Sequence, residues 1–376
     1  VTHAGRRVSA GPVRSAAGPS IRRLTPSEVV ALPDGLEETA APGAEPTPHA
    51  ATVLTFVDLP AAVETGLDLE RVARRLRASA RILVGMAHEP LPAALLPLLE
   101  ALTLTLSAVP QHGRAHVTVD DPAAEAARLA RAVQTAPRSA LALAGVLRAT
   151  PLLPVDDGLA VESLAYSMLQ SGPEFAAWRA ARAPSTVPPP PSDPVLLSDE
   201  GDALSITLNR PERRNALGAS LRDALIEALE TAAADPRLRT VELRGAGPDF
   251  CSGGDLDEFG GFADPASAHA IRLARSAGRL VHRNAGRVRA RLHGACVGAG
   301  IEVPAFAGEV AAEPGSWFRL PELGLGLIPG AGGTVSLPRR IGRWRTAWMA
   351  LTGDRVSAAT AAEWGLVDRM VPTVRA

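Results

Sequence analysis

Arg319-Leu320-Pro321-Glu322-Leu323-Gly324-Leu325-Gly326-Leu327-Ile328-Pro329-Gly330-Ala331-Gly332-Gly333-Thr334 sets one carboxylate on an apolar turn and follows it with a glycine-rich approach to another helix. A glutamate among leucines, prolines and glycines is expected to be buried, and burial raises a carboxyl pKa toward the range useful for proton transfer. Two upstream segments have the same small-residue character. Phe250-Cys251-Ser252-Gly253-Gly254-Asp255-Leu256 and Gly294-Ala295-Cys296-Val297-Gly298-Ala299-Gly300-Ile301-Glu302 each follow a predicted strand. Where a strand gives way to a helix, small residues let free backbone N–H groups point into a cavity. Two such donors, one from each segment, suit an acyl oxygen as it becomes an enolate, each worth roughly 2.7–4 kcal/mol of barrier. One glycine cluster is usually a tight turn, and one glutamate usually a solvated or capping side chain. Two of each, side by side, reverse that reading for Glu302 and Glu322.

Working outward, Ala203 to Leu208 alternates as a strand, and Ser220 reads as the N-cap of a helix whose Leu221, Leu225 and Leu229 form an apolar face. Thr240 to Arg244 and Arg287 to Leu292 read as buried strands, and Val310 to Phe318 continues the alternation. Strands separated by helices and glycine turns imply a layered α/β fold over 196–376. Before it, 183–195 holds Pro188-Pro189-Pro190-Pro191, which favours an extended, semi-rigid linker. Residues 51–182 read as a smaller α/β domain, with strands near 53–59, 81–84, 102–106 and 116–119 and helices over 68–78 and 122–135. A Pro-Arg-Ser turn at 137–139 and an amphipathic helix over 158–182, carrying Tyr166, Phe175 and Trp178, complete it. No clustering of His, Cys or acidic residues marks this domain for chemistry, so it reads as structural or as an assembly element. Residues 1–50, rich in Pro, Gly, Ala and Ser, read as a mostly disordered tail.

The 39 basic residues balance 40 acidic ones, so no global field points to nucleic acid or an anionic membrane. No apolar run reaches the roughly 18 residues needed to span a bilayer. The start of the sequence lacks the apolar stretch of a secretory signal. Cys251 and Cys296 have no metal-ligand spacing and read as reduced, buried thiols of a cytoplasmic protein. No metal site is expected.

Taken in order, these segments resemble the crotonase (enoyl-CoA hydratase/isomerase) superfamily over roughly the C-terminal half of the chain. Asn209-Arg210-Pro211 with Asn215-Ala216-Leu217 is similar to the family's first coenzyme A-contacting turn, and Leu351-Thr352-Gly353-Asp354 and Gly365-Leu366-Val367-Asp368 are family-typical. The resemblance implies a ClpP/crotonase-like layered ββα superhelix with oxyanion-hole amides at Gly254 and Ala299. It implies catalytic glutamates at Glu302 and Glu322, and a water-holding backbone amide at Gly330. It further implies coenzyme A contacts at Arg213, Asn215, Ala216, Ser252, Gly253, Asp255 and Leu256, and an acyl pocket lined by Phe259 and Phe262 on a loop made mobile by Gly260-Gly261. The sequence departs from the pattern at Ala299, where glycine is usual, at Pro304 inside the helix after Glu302, and at Gly308, where aspartate is common. The implied activity is hydration of an enoyl-CoA, with the coenzyme A thioester as substrate and no permanently bound cofactor, in a homotrimer or hexamer. Isomerase, thioester hydrolase and ring-modifying dioxygenase chemistry within the superfamily, or a non-catalytic acyl-CoA-binding subunit, are the alternatives. Family members continue beyond the position of Val371-Pro372 into a helical tail, and 120–182 reads like that tail. The N-terminal half is therefore expected to be a degenerate crotonase-like unit whose helical end covers the C-terminal domain.

Overall fold

The computed structural model describes residues 22–30, 53–63, 65–183, 192–261 and 264–373. The N-terminal half opens with β1 (Arg23–Leu24) and α1 (Pro26–Val29), then β2 (Leu54–Asp58), α2 (Leu69–Ala78), β3 (Ile82–Ala87), α3 (Leu96–Ala101), β4 (Leu104–Ser107) and β5 (Val117–Thr118). These five strands form one all-parallel sheet in sequence order. Phe56, Val84, Met86, Leu104 and Leu106 belong to one apolar cluster and Val57, Leu83 and Ala87 to another, the pattern of a parallel sheet covered on both faces. The pairing of β1 with β2 draws Arg23–Leu24, from the tail expected to be mostly disordered, into the sheet. Apart from 22–30, residues 1–50 lie outside the described residues, as do 184–191 of the proline linker.

Four helices follow: α4 (Pro122–Thr135), α5 (Pro137–Ala149), α6 (Val155–Gln170) and α7 (Pro173–Ala180). Asp121 caps α4 by accepting the amides of Ala123 and Ala124. The predicted turn at 137–139 is instead the start of α5. A proline at the first helical position loses no hydrogen bond there, and Glu174 of α7 accepts the Arg138 and Ser139 amides at 2.8 and 3.0 Å. The single helix expected over 158–182 is two, broken at Ser171-Gly172 with Pro173 restarting the chain as α7.

The C-terminal half contains β6 (Val195–Asp199), β7 (Ala203–Leu208), α8 (Ala219–Ala234), β8 (Thr240–Gly245), α9 (Pro265–Ala274), α10 (Ala277–Arg283), β9 (Val288–Leu292), β10 (Ala295–Val297) and α11 (Ala299–Glu302). It ends with β11 (Glu309–Ala312), β12 (Trp317–Arg319), α12 (Gly333–Ile341), α13 (Arg343–Thr352), β13 (Val356–Ser357), α14 (Ala358–Trp364) and β14 (Arg369–Met370). A six-stranded sheet runs β14-β11-β9-β8-β7-β6, parallel except for the β6–β7 hairpin, and a small sheet runs β10-β12-β13. The Leu221, Leu225 and Leu229 face of α8 is buried as predicted, but the helix begins one residue before Ser220, with Gly218 at the cap position and Glu258 accepting the Ala219 amide at 2.7 Å.

One apolar core runs through both halves. Leu129, Val133, Leu143, Leu147 and Leu159 from α4–α6 join Leu327, Val335, Leu337 and Met349 in a single cluster. Thr150 donates to the carbonyl of Thr334 at 2.5 Å, and Arg339 to that of Leu153 at 2.6 Å. The helices of 122–180 therefore pack on the C-terminal half, as expected of the tail-like segment.

Candidate active site

The chain carries Glu322 into the interior on a one-turn 3-10 helix (Glu322–Leu325) directly after β12. Glu302 closes the four-residue α11, and Pro304 opens a 3-10 turn immediately beyond, as its missing N–H requires. Both carboxyls are buried. They converge on Gly298, whose φ of +50° suits glycine. A methyl group built there would lie 2.6 Å from Glu322 Oε1 and 3.6 Å from Glu302 Oε1. Glu322 Oε2 is buried without a hydrogen-bond partner among the described residues.

The two amides expected to act together lie beside this point. Gly253 packs against Gly298, the isolated bridge Cys251↔Cys296 holds the two segments parallel, and Leu217↔Gly254 ties the first of them to the 215–217 turn. Neighbouring amides serve the fold: Gly253 N–H donates to Cys251 Sγ, Asp255 N–H to Leu217 O and Ile301 N–H to Gly298 O. Among the described residues, the Gly254 and Ala299 amides donate to no backbone carbonyl, and both residues line the cavity described below. Both cysteines are free and buried, and desolvation pushes the Cys251 thiol up to about 12, so they are packing groups.

Sequence reasoning missed a third carboxylate. Glu162, on α6, reaches the turn that precedes α12. Its Oε1 accepts the Gly332 amide at 2.7 Å, and its Oε2 accepts the Thr334 amide at 2.8 Å and the Thr334 hydroxyl at 2.7 Å. Glu302 Oε2 takes the amides between, Ala331 and Gly333, each at 2.8 Å. Four consecutive N–H groups at the start of α12 are thus gripped alternately by two glutamates from different halves of the chain. They use the donors that a helix N-terminus leaves unpaired and the positive end of its dipole. One turn along α6, Tyr166 lays its ring against Gly330, so closely that a β-carbon there would meet it. The only sequence trace of this was the four-residue spacing of Glu162 and Tyr166 on one helix face, which by itself is indistinguishable from ordinary packing.

All three carboxyl pKa values are raised, and the charge of Glu302 contributes to the shifts of the other two. Burial is the main cause for each. It pushes Glu302 up to about 7 against the pull of the Ala331, Gly333 and Gly330 amides. It pushes Glu162 up to about 8, helped by the charge of Glu302 and opposed by the hydrogen bonds from Thr334 and Gly332. Burial and then the Glu302 charge hold Glu322 well above the carboxylate range. The raised values favour protonated carboxyls in this cluster at a higher pH than ordinary carboxylates.

Several residues expected to contact the coenzyme also hold the turn together. Asn215 is fully buried, with its side chain accepting the Arg210 amide and donating to the carbonyls of Ala246, Asp249 and Phe250. Asp255, also buried, binds Arg210 at 2.9 Å and Arg213 at 2.7 Å. The side chains of Asn215 and Asp255 thus build the turn from within, and Arg213 pairs with Asp255 from its partly exposed side. Ala216 is buried, Ser252 donates to Arg213 O at 3.4 Å, and Leu256 is exposed. The described part of the acyl loop makes several contacts. Arg213 and Arg182 bind Asp257 at 2.5 and 2.7 Å, Arg179 donates to Gly260 O at 3.0 Å, and the Trp178 ring lies 6.3 Å from that of Phe259. Phe259 lines the cavity beside Gly254, whereas Phe262 lies outside the described residues.

The cavity is about 440 Å³. The C-terminal half supplies Gly254, Ala299, Glu302 and Glu322 to it, and α6 supplies Glu162 and Tyr166. That volume suits a small acyl group with its polar groups converging at one end. No group of His, Cys, Asp and Glu able to hold a metal ion occurs among the described residues, and no helix there is long and apolar enough to cross a membrane.

Residues 199–375 match the family described as enoyl-CoA hydratase/isomerase. The chain is similar to the mevalonyl-coenzyme A hydratase of Beauveria bassiana, with 34% identity over 195 residues covering 49% of this chain and 69% of that protein. It is similar to the 2,3-dehydroadipyl-CoA hydratase of Escherichia coli, with 35% identity over 179 residues covering 48% and 69%. It is also similar to the 1,2-epoxyphenylacetyl-CoA isomerase of Escherichia coli, with 35% identity over 181 residues covering 47% and 69%.

Proposed function

The chain belongs to the enoyl-CoA hydratase/isomerase family through its C-terminal half, and from that premise we propose that it catalyses the reversible addition of water to an α,β-unsaturated acyl-CoA. One observation carries this reading: two buried carboxyls, both with raised pKa, meet at Gly298 beside two amides not used by the fold. The Gly254 and Ala299 N–H groups hold the thioester oxygen and stabilise the charge that develops there during addition. A water between Glu302 and Glu322 loses a proton to the ionised carboxyl as its oxygen attacks the β-carbon. The protonated carboxyl delivers its proton to the α-carbon, and the pair leaves the cycle with the proton count it began with. Raised, coupled pKa values keep one member protonated and one ionised near neutral pH, as this division of labour requires. Glu322 Oε2, without a hydrogen-bond partner among the described residues, is open to such a water.

Similarity to an isomerase supports a second reading in which the same carboxyls move a proton between carbons and add no water. Mass separates the two, because hydration of crotonyl-CoA gains one water and isomerisation gains nothing. Glu322→Gln is expected to lower turnover roughly 10²–10⁴-fold while saturated acyl-CoA still binds. Turnover equal to the parent chain in that variant would remove Glu322 from the mechanism. Cytoplasmic location and a homotrimer or hexamer go with this proposal, and sedimentation tests the latter.

A further inference from the structure

Part of the cavity wall is cationic in a way that proton transfer does not use. Arg222 of α8, Arg272 of α9 and Arg275 just beyond α9 all line it. Arg272 is half-buried, and its hydrogen bonds go to neutral oxygens: Nε to Ser163 at 3.0 Å, one terminal nitrogen to Gln170 at 3.2 Å, and the other to Ser167. Its guanidinium also covers the Tyr166 ring, 4.7 Å from the centroid. Among the described residues no carboxylate lies within ion-pair distance of it.

The nearby acidic groups are committed elsewhere. Asp223 serves two guanidiniums at once, Arg222 at 2.9 Å and Arg275 at 3.3 Å. Glu258 accepts the Ala219 amide, and both oxygens of Glu162 are taken by Gly332 and Thr334. His269 shares Ser163 with Arg272, its Nδ1 2.9 Å from the hydroxyl, and brings no negative charge. Arg222 and Arg275 thus share Asp223, whereas Arg272 makes no ion pair among the described residues and spends three of its five N–H donors on neutral groups. A partly desolvated guanidinium with spare donors and no ion-pair partner is costly, and an anion that arrives with the ligand offsets that cost.

The geometry points to a substrate whose acyl chain ends in a carboxylate, bound by Arg272 with Arg275 beside it. This rests on the reading of the cavity as an acyl-thioester site and adds to it the chemical class of the acyl group. Arginine's planar fork matches a carboxylate with two parallel hydrogen bonds, and Gln170 and Ser163 hold that fork in place. Coenzyme A phosphates are the other anions such a wall can meet, so the test keeps the coenzyme constant and varies only the far end of the acyl chain.

The experiment is calorimetric titration of the full chain with two saturated six-carbon acyl-CoA thioesters, one ending in a methyl group and one in a carboxylate. The carboxylate form is expected to bind roughly tenfold more tightly, the contribution of one charge-assisted hydrogen-bonded pair. In Arg272→Gln and in Arg275→Gln that ratio is expected to fall toward unity. Arg272 joins α9 to α6, so its variant is checked for folding by circular dichroism; if it does not fold, Arg275→Gln carries the test. Equal binding of the two thioesters by the parent chain, or a ratio unchanged in the folded variants, overturns the carboxylate assignment alone. Failure of both thioesters to bind overturns the acyl-thioester reading with it.

Discussion

Glu302 and Glu162 are the same residue type, equally buried, and hold alternate amides of the same turn, yet the structure gives them different work. Both hydrogen bonds to Glu302 from the turn go to Oε2, and its Oε1 faces Gly298, where Glu322 also points. Both oxygens of Glu162 are occupied, one by Gly332 and the other by Thr334 twice over. A carboxyl with a spare oxygen at a cavity can exchange a proton with a substrate. One with both oxygens spent fixes backbone. The comparison extends to the two halves of the chain: in the proposed mechanism the C-terminal half supplies the reacting groups, and Glu162 of the N-terminal half clamps the turn that Glu302 also holds.

The largest effect should come from separating the halves. Because one core includes Leu159 with Val335 and Leu129 with Met349, a fragment of residues 192–376 is expected to expose that core and to give no soluble, active protein. A soluble fragment with full turnover would falsify the clamp reading, and with it the idea that the N-terminal helices complete the site.

Glu162→Gln tests the clamp without dividing the chain. Glutamine replaces one acceptor oxygen by a donor, leaving a buried amide N–H of the turn facing another N–H, at a cost of about 1–3 kcal/mol. Displacement of the turn by even an ångström is expected to lower kcat by up to roughly 100-fold, with KM changed less. The pH dependence of stability is a second readout. The folded pKa of Glu162 lies above the ordinary 4.5, so the folded state holds a proton that the unfolded state has released. Its stabilising contribution is complete below about 4.5 and is lost as pH rises through about 8. The decline in melting temperature across that window should be shallower in Glu162→Gln than in the parent chain. An identical slope would mean that Glu162 is ionised throughout and acts only as a hydrogen-bond acceptor.

Why half of this site was legible in the sequence follows from where its groups sit. Gly254, Ala299, Glu302 and Glu322 are placed by contiguous segments in which each chain turn needs small residues locally, so glycine and proline record the geometry in the sequence. Glu162 and Tyr166 are placed by an otherwise ordinary helix packing across the molecule, and a helix leaves no local mark of what it will touch. The same reason explains Asn215 and Asp255. They stand in a motif typical of ligand contact, but their side chains are drawn inward by Arg210 and by backbone carbonyls that only the folded turn brings near. Strand and helix positions in the N-terminal half followed from their apolar patterns, and the structure adds the Asp68 and Asp121 caps that start two of the helices. The errors there lay at Pro137 and Pro173, which start helices where proline had been read as a turn or passed over within one.

Gly330→Ala probes the contact between halves from the C-terminal side. The added methyl meets the Tyr166 ring, which is itself held under Arg272, and relief requires either the turn or α6 to move. Overpacking of this kind costs about 1–3 kcal/mol. Tyr166→Ala should recover much of that loss in the double variant, because the two groups are in contact and their effects are coupled. Strict additivity would place the strain somewhere other than the ring.

The smallest effect is expected where the halves meet in water. Arg128 of α4 pairs across the molecule with Asp354, as well as with Glu125 of its own helix at 3.1 Å. The Arg128 side chain is 47% exposed and that of Asp354 32%, so solvent screens the pair and holding two side chains in register offsets part of the gain. Arg128→Ala should cost no more than about 1 kcal/mol, less at high salt, and leave turnover unchanged. This ion pair spans the same two halves as Glu162 and the 331–334 turn, and differs from that contact chiefly in burial. A loss above about 2 kcal/mol, or any change in kcat, would mean that the halves are registered at their rim, and Glu162 would then be one contact among equals.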